Sequence, residues 1–185
     1  MKGDERNEKF GFSHNNGTCS LLRNEAVQSR SGNKIEKGIY SDVPSVHYLA
    51  VIMKKYPYGV FTSYSAYYYH NLTDVIPDKI YLATDRNNRM ISSNKIKQVR
   101  MKEELYNLGK TEIDYEGIKI NIYDKERTLI DLARNKNQIG YDLYKEIISN
   151  YRKLADSLDT QKIEEYLQYF VNGDKIFEII QDEVF

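Results

Sequence analysis

The chain has 185 residues, 41% of them hydrophobic, and its 27 Lys+Arg balance 27 Asp+Glu. That length suits one ordinary domain, or a small domain joined to a larger one, with enough apolar content for a core. No apolar run approaches the ~20 residues of a membrane span, the charged start MKGDERNEKF lacks a secretory apolar stretch, and the single Cys19 excludes an internal disulfide, so a reduced, cytoplasmic protein is expected.

Residues 1–12 are polar and read as a disordered start. Thr18 caps a short predicted helix through Leu21, Leu22 and Ala26. Lys34 to Tyr40, KIEKGIY, reads as a β-segment bent at Gly38. A helix followed by a basic β-wing is the pattern of a winged helix, in which the helix enters the major groove and the wing touches phosphate.

Pro44 marks a boundary, and Ser45 caps a predicted helix with Val46, Leu49, Ala50 and Met53 on one face. Pro57 and Gly59 end it. Thr62 or Ser63 caps a second helix through Tyr64, Tyr67 and Tyr68 that stops near Asn71. Lys79–Thr84 and Ile96–Met101 read as strands flanking the polar stretch 85–95. Thr111–Tyr123 reads as a hairpin turning at Glu116-Gly117, with Ile113 and Tyr115 alternating before the turn and Ile118, Ile120 and Ile122 after it. Asp124 caps a helix carrying Leu129, Ile130, Leu132 and Ala133, which breaks between Asn135 and Gly140. Three more amphipathic helices follow: one with Leu143, Tyr144, Ile147, Ile148 and Tyr151; one capped by Asp159 with Ile163, Tyr166, Leu167 and Phe170; and one with Ile176, Phe177, Ile180 and Val184.

Charge is unevenly spread. Residues 1–102 hold 16 basic against 9 acidic side chains, net +7, and residues 103–185 hold 11 against 18, net −7. A basic half and an acidic half suggest one side facing nucleic acid and another facing something else. Two basic clusters stand out: Arg23, Arg30, Lys34 and Lys37 near the start, then Arg86, Arg89, Lys95, Lys97, Arg100 and Lys102 on the strand–loop–strand segment. The first would contact phosphate, with Arg23 or Arg30 the base reader, since arginine pairs with guanine through two hydrogen bonds. The second extends the expected DNA footprint through Arg86, Arg89, Lys95 and Lys97, or contacts an RNA or nucleotide linked to the toxin's chemistry; Lys95 and Lys97, with Arg100, are expected to share a face of an edge strand, where lysines also protect against aggregation.

Candidate chemistry is sparse. Arg127 and Asp131, four residues apart, read as a buried polar strut between helix and sheet. His70 reads as a partner for a carbonyl, and His14, His47 and Cys19 lack the spacing of a zinc site. Pro77-Asp78 invites comparison with PD-(D/E)xK nucleases, but Glu116-Gly117-Ile118-Lys119 has one residue too many and sits on a turn. No phosphate loop or Ser-His-Asp arrangement is present. The expectation is a non-enzyme with no cofactor or metal.

Ser65-Ala66, then His70-Asn71-Leu72-Thr73-Asp74 and Pro77 before a strand, resembles the SA…HGLT…P segment of AbiEi-type proteins. Glu126 to Leu132, ERTLIDL, followed by Asn137 to Gly140, resembles their RTLVDL…IG helix, and Lys34 to Tyr40 resembles the wing that ends their N-terminal domain. The resemblance spans Lys34 to Phe170. It implies an antitoxin of a type IV (abortive infection) toxin–antitoxin system that represses its own promoter. It also implies a cognate nucleotidyltransferase toxin, counteracted without any need for a stable complex. Only Ser13 to Asn33 stands before the wing, where family members place two or three helices, so the first module is expected to be shortened.

The expected architecture is α+β. Residues 1–44 form a reduced winged-helix-like module, and residues 45–185 an antitoxin domain with a small mixed sheet, a hairpin and a C-terminal helical cluster. The expected partners are promoter DNA of its own operon and the toxin, with no membrane and with a homodimer among the allowed assemblies. The alternative is a protein-interaction or antitoxin module that has lost DNA binding.

Overall fold

The computed structural model describes residues 48–185 throughout and, ahead of them, the backbone of three strands: β1 (Leu22–Asn24), β2 (Asn33–Glu36) and β3 (Ile39–Ser41). These form one antiparallel sheet in the order β1-β3-β2. The KIEKGIY segment is thus the paired arms β2 and β3, bulged between Lys34 and Glu36. Leu22, expected in a helix capped by Thr18, lies instead in β1, where it pairs with Ser41. Backbone pairing to β3 satisfies in extended form the groups a helix would satisfy internally. The rest of that helix, the Pro44 boundary and the Ser45 cap lie outside the described residues.

From Tyr48 the order is α1 (Tyr48–Lys55), β4 (Val60–Phe61), α2 (Ser63–Tyr69), β5 (Ile80–Asp85), β6 (Ile96–Met101), α3 (Glu103–Asn107), β7 (Lys110–Tyr115) and β8 (Ile118–Tyr123). Four helices follow: α4 (Lys125–Arg134), α5 (Tyr141–Leu154), α6 (Thr160–Leu167) and α7 (Gly173–Glu183). The five strands from β4 on form a mixed sheet in the order β6-β5-β4-β8-β7. β4 runs parallel to β8 and antiparallel to β5, and β5 runs parallel to β6. The two-residue β4 is therefore the centre of the sheet.

Side-chain alternation gives the sheet two apolar faces. Phe61, Leu82, Ile96, Ile118, Ile120 and Ile122 pack under α1, whose Leu49 to Met53 are all buried. Val60, Ala83 and Tyr123 line the opposite face with Met101 and Tyr106. Beyond that face, α4 packs against α2, α6 and α7. Its seven residues from Arg127 to Ala133 are all buried, so it forms the centre of the helical layer.

The entry to α4 carries the densest polar network. Asp124 accepts a hydrogen bond from the Arg127 amide at 2.8 Å, the cap expected from sequence. Its other oxygen accepts from the Tyr166 hydroxyl at 2.9 Å and pairs with Lys162 at 2.9 Å. Burial and then the Asp124 carboxylate push the Tyr166 phenol up to about 12. Gly109 sits against this corner at φ +75°, and a Cβ there would lie 2.6 Å from Arg127 Cβ. Glycine meets both the left-handed backbone and the close approach. Asp159 caps α6 through the Lys162 amide, also as expected.

Candidate functional site

Arg127 is fully buried and Asp131 is 4% exposed. The guanidinium Nε donates to Asp131 Oδ2 at 3.2 Å and Nη1 donates to the Leu105 carbonyl at 2.9 Å. The group lies between the rings of Tyr123 and Phe170, 4.8 and 4.7 Å from their centroids. This is the strut read from sequence, reaching from the helical layer to the β8 face. His70 makes the carbonyl contact assigned to it, Nε2 to Tyr123 O at 2.6 Å. Burial holds its imidazole below the ordinary range, against that hydrogen bond, which raises it. Ser65 Oγ accepts from the Tyr81 amide at 2.9 Å. The motif residues Ser65, His70 and Arg127 therefore all make contacts that hold the fold.

The second basic cluster lies along one sheet edge. β6 is an edge strand, as expected. Arg86, Arg89, Lys95, Lys97, Arg100 and Lys102 are all exposed. They do not share one face. Arg100 turns back to the β5–β6 connection, where its guanidinium donates to the Arg86 carbonyl. Lys95, just before β6, lies over the Tyr48 ring at 5.7 Å. Lys97 lines a pocket on the other side. Alternation separates Lys97 from Arg100, which are three apart in sequence, so the basic groups wrap the edge. Gln98 pins the connection, its Oε1 accepting from the Ile91 amide at 2.8 Å and its Nε2 donating to Thr84 Oγ1 at 2.8 Å.

Of the first cluster, Arg23 in β1 and Lys34 in β2 hold the register positions on either side of Tyr40 in β3. Arg30 and Lys37 lie outside the described residues.

The carboxylates of the nuclease comparison are far apart. Leu82, Phe61 and Ile122 stand level across the sheet, and β5 runs opposite to β8. Asp78 is four residues before Leu82 and Glu116 six before Ile122, so they flank opposite ends of the sheet. Lys119 is paired with Glu112 at 2.9 Å. Among the described residues no group of three or more His, Cys, Asp or Glu is placed to hold a metal ion, and no helix is long and apolar enough to cross a membrane.

Sequence reasoning missed the pocket beside the basic edge. It has a volume of about 240 Å³ and is lined by the start of α2, strands β5 and β6, the end of α4 and the segment that follows. Tyr64 and Tyr81 stand on its wall with ring centroids 5.0 Å apart. Lys97 is the direct register partner of Tyr81. From the helical side come Asp131, Arg134, Asn135 and Gln138. Asp131 Oδ1 is buried without a hydrogen-bond donor, and Arg134 Nη2 lies 3.6 Å from it. Ser63, also on the wall, holds a left-handed backbone at φ 51°, uncommon for a residue with a Cβ.

No protein-family model and no curated protein matches the chain. Among solved structures it is similar to the crystal structure of the RV2827C protein from Mycobacterium tuberculosis, with a TM-score of 0.59 at 12% identity. The match covers 80% of this chain and 59% of that one, so the chain spans about three-fifths of that protein's length. The likeness is one of fold.

Proposed function

We propose that this protein is an AbiEi-like antitoxin and transcriptional autorepressor, which binds promoter DNA of its own operon and counteracts a nucleotidyltransferase toxin. The observation that carries the reading is the basic edge: Arg86, Arg89, Lys95, Lys97, Arg100 and Lys102 are all exposed on β6 and the segments flanking it. A run of cations at a sheet edge is an electrostatic footprint for a phosphate backbone. The antiparallel pairing of β2 and β3, with Lys34 in the first, is compatible with a wing. The sequence after residue 102, with 18 acidic against 11 basic side chains, carries the opposite net charge, which suits the toxin side of the function.

The reading is tested by fluorescence anisotropy with duplex DNA from immediately upstream of the gene, against a scrambled duplex, at two salt concentrations. Binding through several phosphate contacts weakens with salt, log K falling by about 0.9 per phosphate per decade. A loss of autorepression in a promoter–reporter strain carrying Arg89→Ala and Lys95→Ala supports the same conclusion.

A further inference from the structure

We propose that the pocket walled by Tyr64, Tyr81, Lys97, Asp131 and Arg134 binds a single nucleotide, with the base against the tyrosines and the phosphate at the two cations. This goes beyond duplex binding by the basic edge and is testable separately from it. The pocket's 240 Å³ falls below the range of about 300–1,000 Å³ typical of drug-sized ligands. It is of a size for a single base rather than a folded partner. Tyr64 and Tyr81, with ring planes inclined at 39°, supply aromatic surface, and stacking on aromatic side chains holds unpaired bases without regard to sequence.

The polar groups are arranged for a ligand with donors at one end and negative charge at the other. Asp131 Oδ2 is engaged by Arg127, while Oδ1, buried in the wall, accepts no hydrogen bond and has only the ion-pair contact with Arg134 Nη2 at 3.6 Å. A buried carboxylate oxygen of this kind calls for a donor, and each nucleobase carries an amino or ring N–H. A bare anion placed beside Asp131 would be repelled. Lys97 is exposed, and Arg134, partly exposed, already faces Asp131, so the phosphate belongs at the open side, on Lys97 and the outer edge of the Arg134 guanidinium. Asn135 Nδ2 is already committed to the Asp131 carbonyl at 2.8 Å, which steadies this wall.

The test is isothermal titration calorimetry of the full chain with each of the four ribonucleoside 5′-monophosphates, with ribose 5-phosphate and inorganic phosphate as base-free probes. The expected result is saturable one-to-one binding of at least one nucleotide, with ribose 5-phosphate and inorganic phosphate weaker by about tenfold or more. Tyr81→Leu and Lys97→Met each weaken that binding by about tenfold, whereas Arg89→Ala, outside the pocket, leaves it unchanged. Lys97→Met keeps the aliphatic stem at an exposed site, so its melting temperature stays that of the parent and a loss of binding is not a loss of fold. A short single-stranded oligonucleotide that binds more tightly than the monophosphates identifies a strand end as the natural occupant. Equal affinity identifies a free nucleotide. Equal binding of ribose 5-phosphate and nucleotide, indifference to both substitutions, or no saturation at about 1 mM overturns the proposal. Failure of duplex binding with nucleotide binding intact overturns the repressor reading alone.

Discussion

Replacing Arg127 with methionine tests the strut at the centre of the fold. The side chain is fully buried and methionine fills most of its volume, so the change removes charge more than packing. Asp131, 4% exposed, is then left with Arg134 at 3.6 Å as its nearest cation. Removing one partner of a buried pair costs about 3–5 kcal/mol, and the half-exposed Arg134 holds the loss towards the lower end. At roughly 2–4 °C per kcal/mol for a chain of this size, the melting temperature falls by about 6–16 °C. Urea denaturation followed by circular dichroism measures the free energy directly. The double variant Arg127→Met/Asp131→Leu removes both charges and recovers part of the loss. It remains below the parent by about 1–3 kcal/mol because the Leu105 carbonyl still lacks its donor. A single variant within about 1 kcal/mol of the parent, or a double variant no better than the single, refutes the reasoning.

Gly109→Ala places a Cβ 2.6 Å from Arg127 Cβ at φ +75° and lowers stability by more than about 2 kcal/mol. Gly117→Ala, at a similar φ of +78° but with open space around it, costs about 1 kcal/mol; equal losses in denaturant melts would contradict the contact argument. His70 is held below the ordinary imidazole value by burial, so its contribution to stability is complete above about pH 6.5 and is lost as pH falls through the folded value. Denaturation midpoints at several pH values below about 7 should show this slope in the parent and lack it in His70→Gln. Arg89→Ala with Lys95→Ala reduces the steepness of log K against log salt for duplex DNA by about two; an unchanged slope removes these residues from the DNA contact.

Elements with a strong local signal were legible in the sequence. The hairpin around Glu116-Gly117, strand β6 and the Asp124 and Asp159 caps fall where alternation and capping chemistry place them. Strand β4 left no such trace. Two residues, Val60 and Phe61, have no period, and their central place comes from pairing with β5 and β8, which the sequence does not display. Helix α3, five residues long and with none buried, is too short to show a face. Thr62 stands at the N-cap of α2 as expected but makes no side-chain cap hydrogen bond, because the chain enters from β4 with Ser63 left-handed. The Arg127–Asp131 pair was readable from its spacing of four. The pocket was not, since Lys97 and Arg134 meet only through the stacking of helix α4 on the sheet. The basic edge was visible as composition, but its wrapping around both faces followed from the Arg100 and Lys95 contacts.

Promoter binding through the basic edge is measured by anisotropy on the upstream duplex. The chain is expected to bind that duplex more tightly than the scrambled control, with affinity falling steeply between low and high salt. Equal affinity for both duplexes, or no binding at low salt, contradicts it.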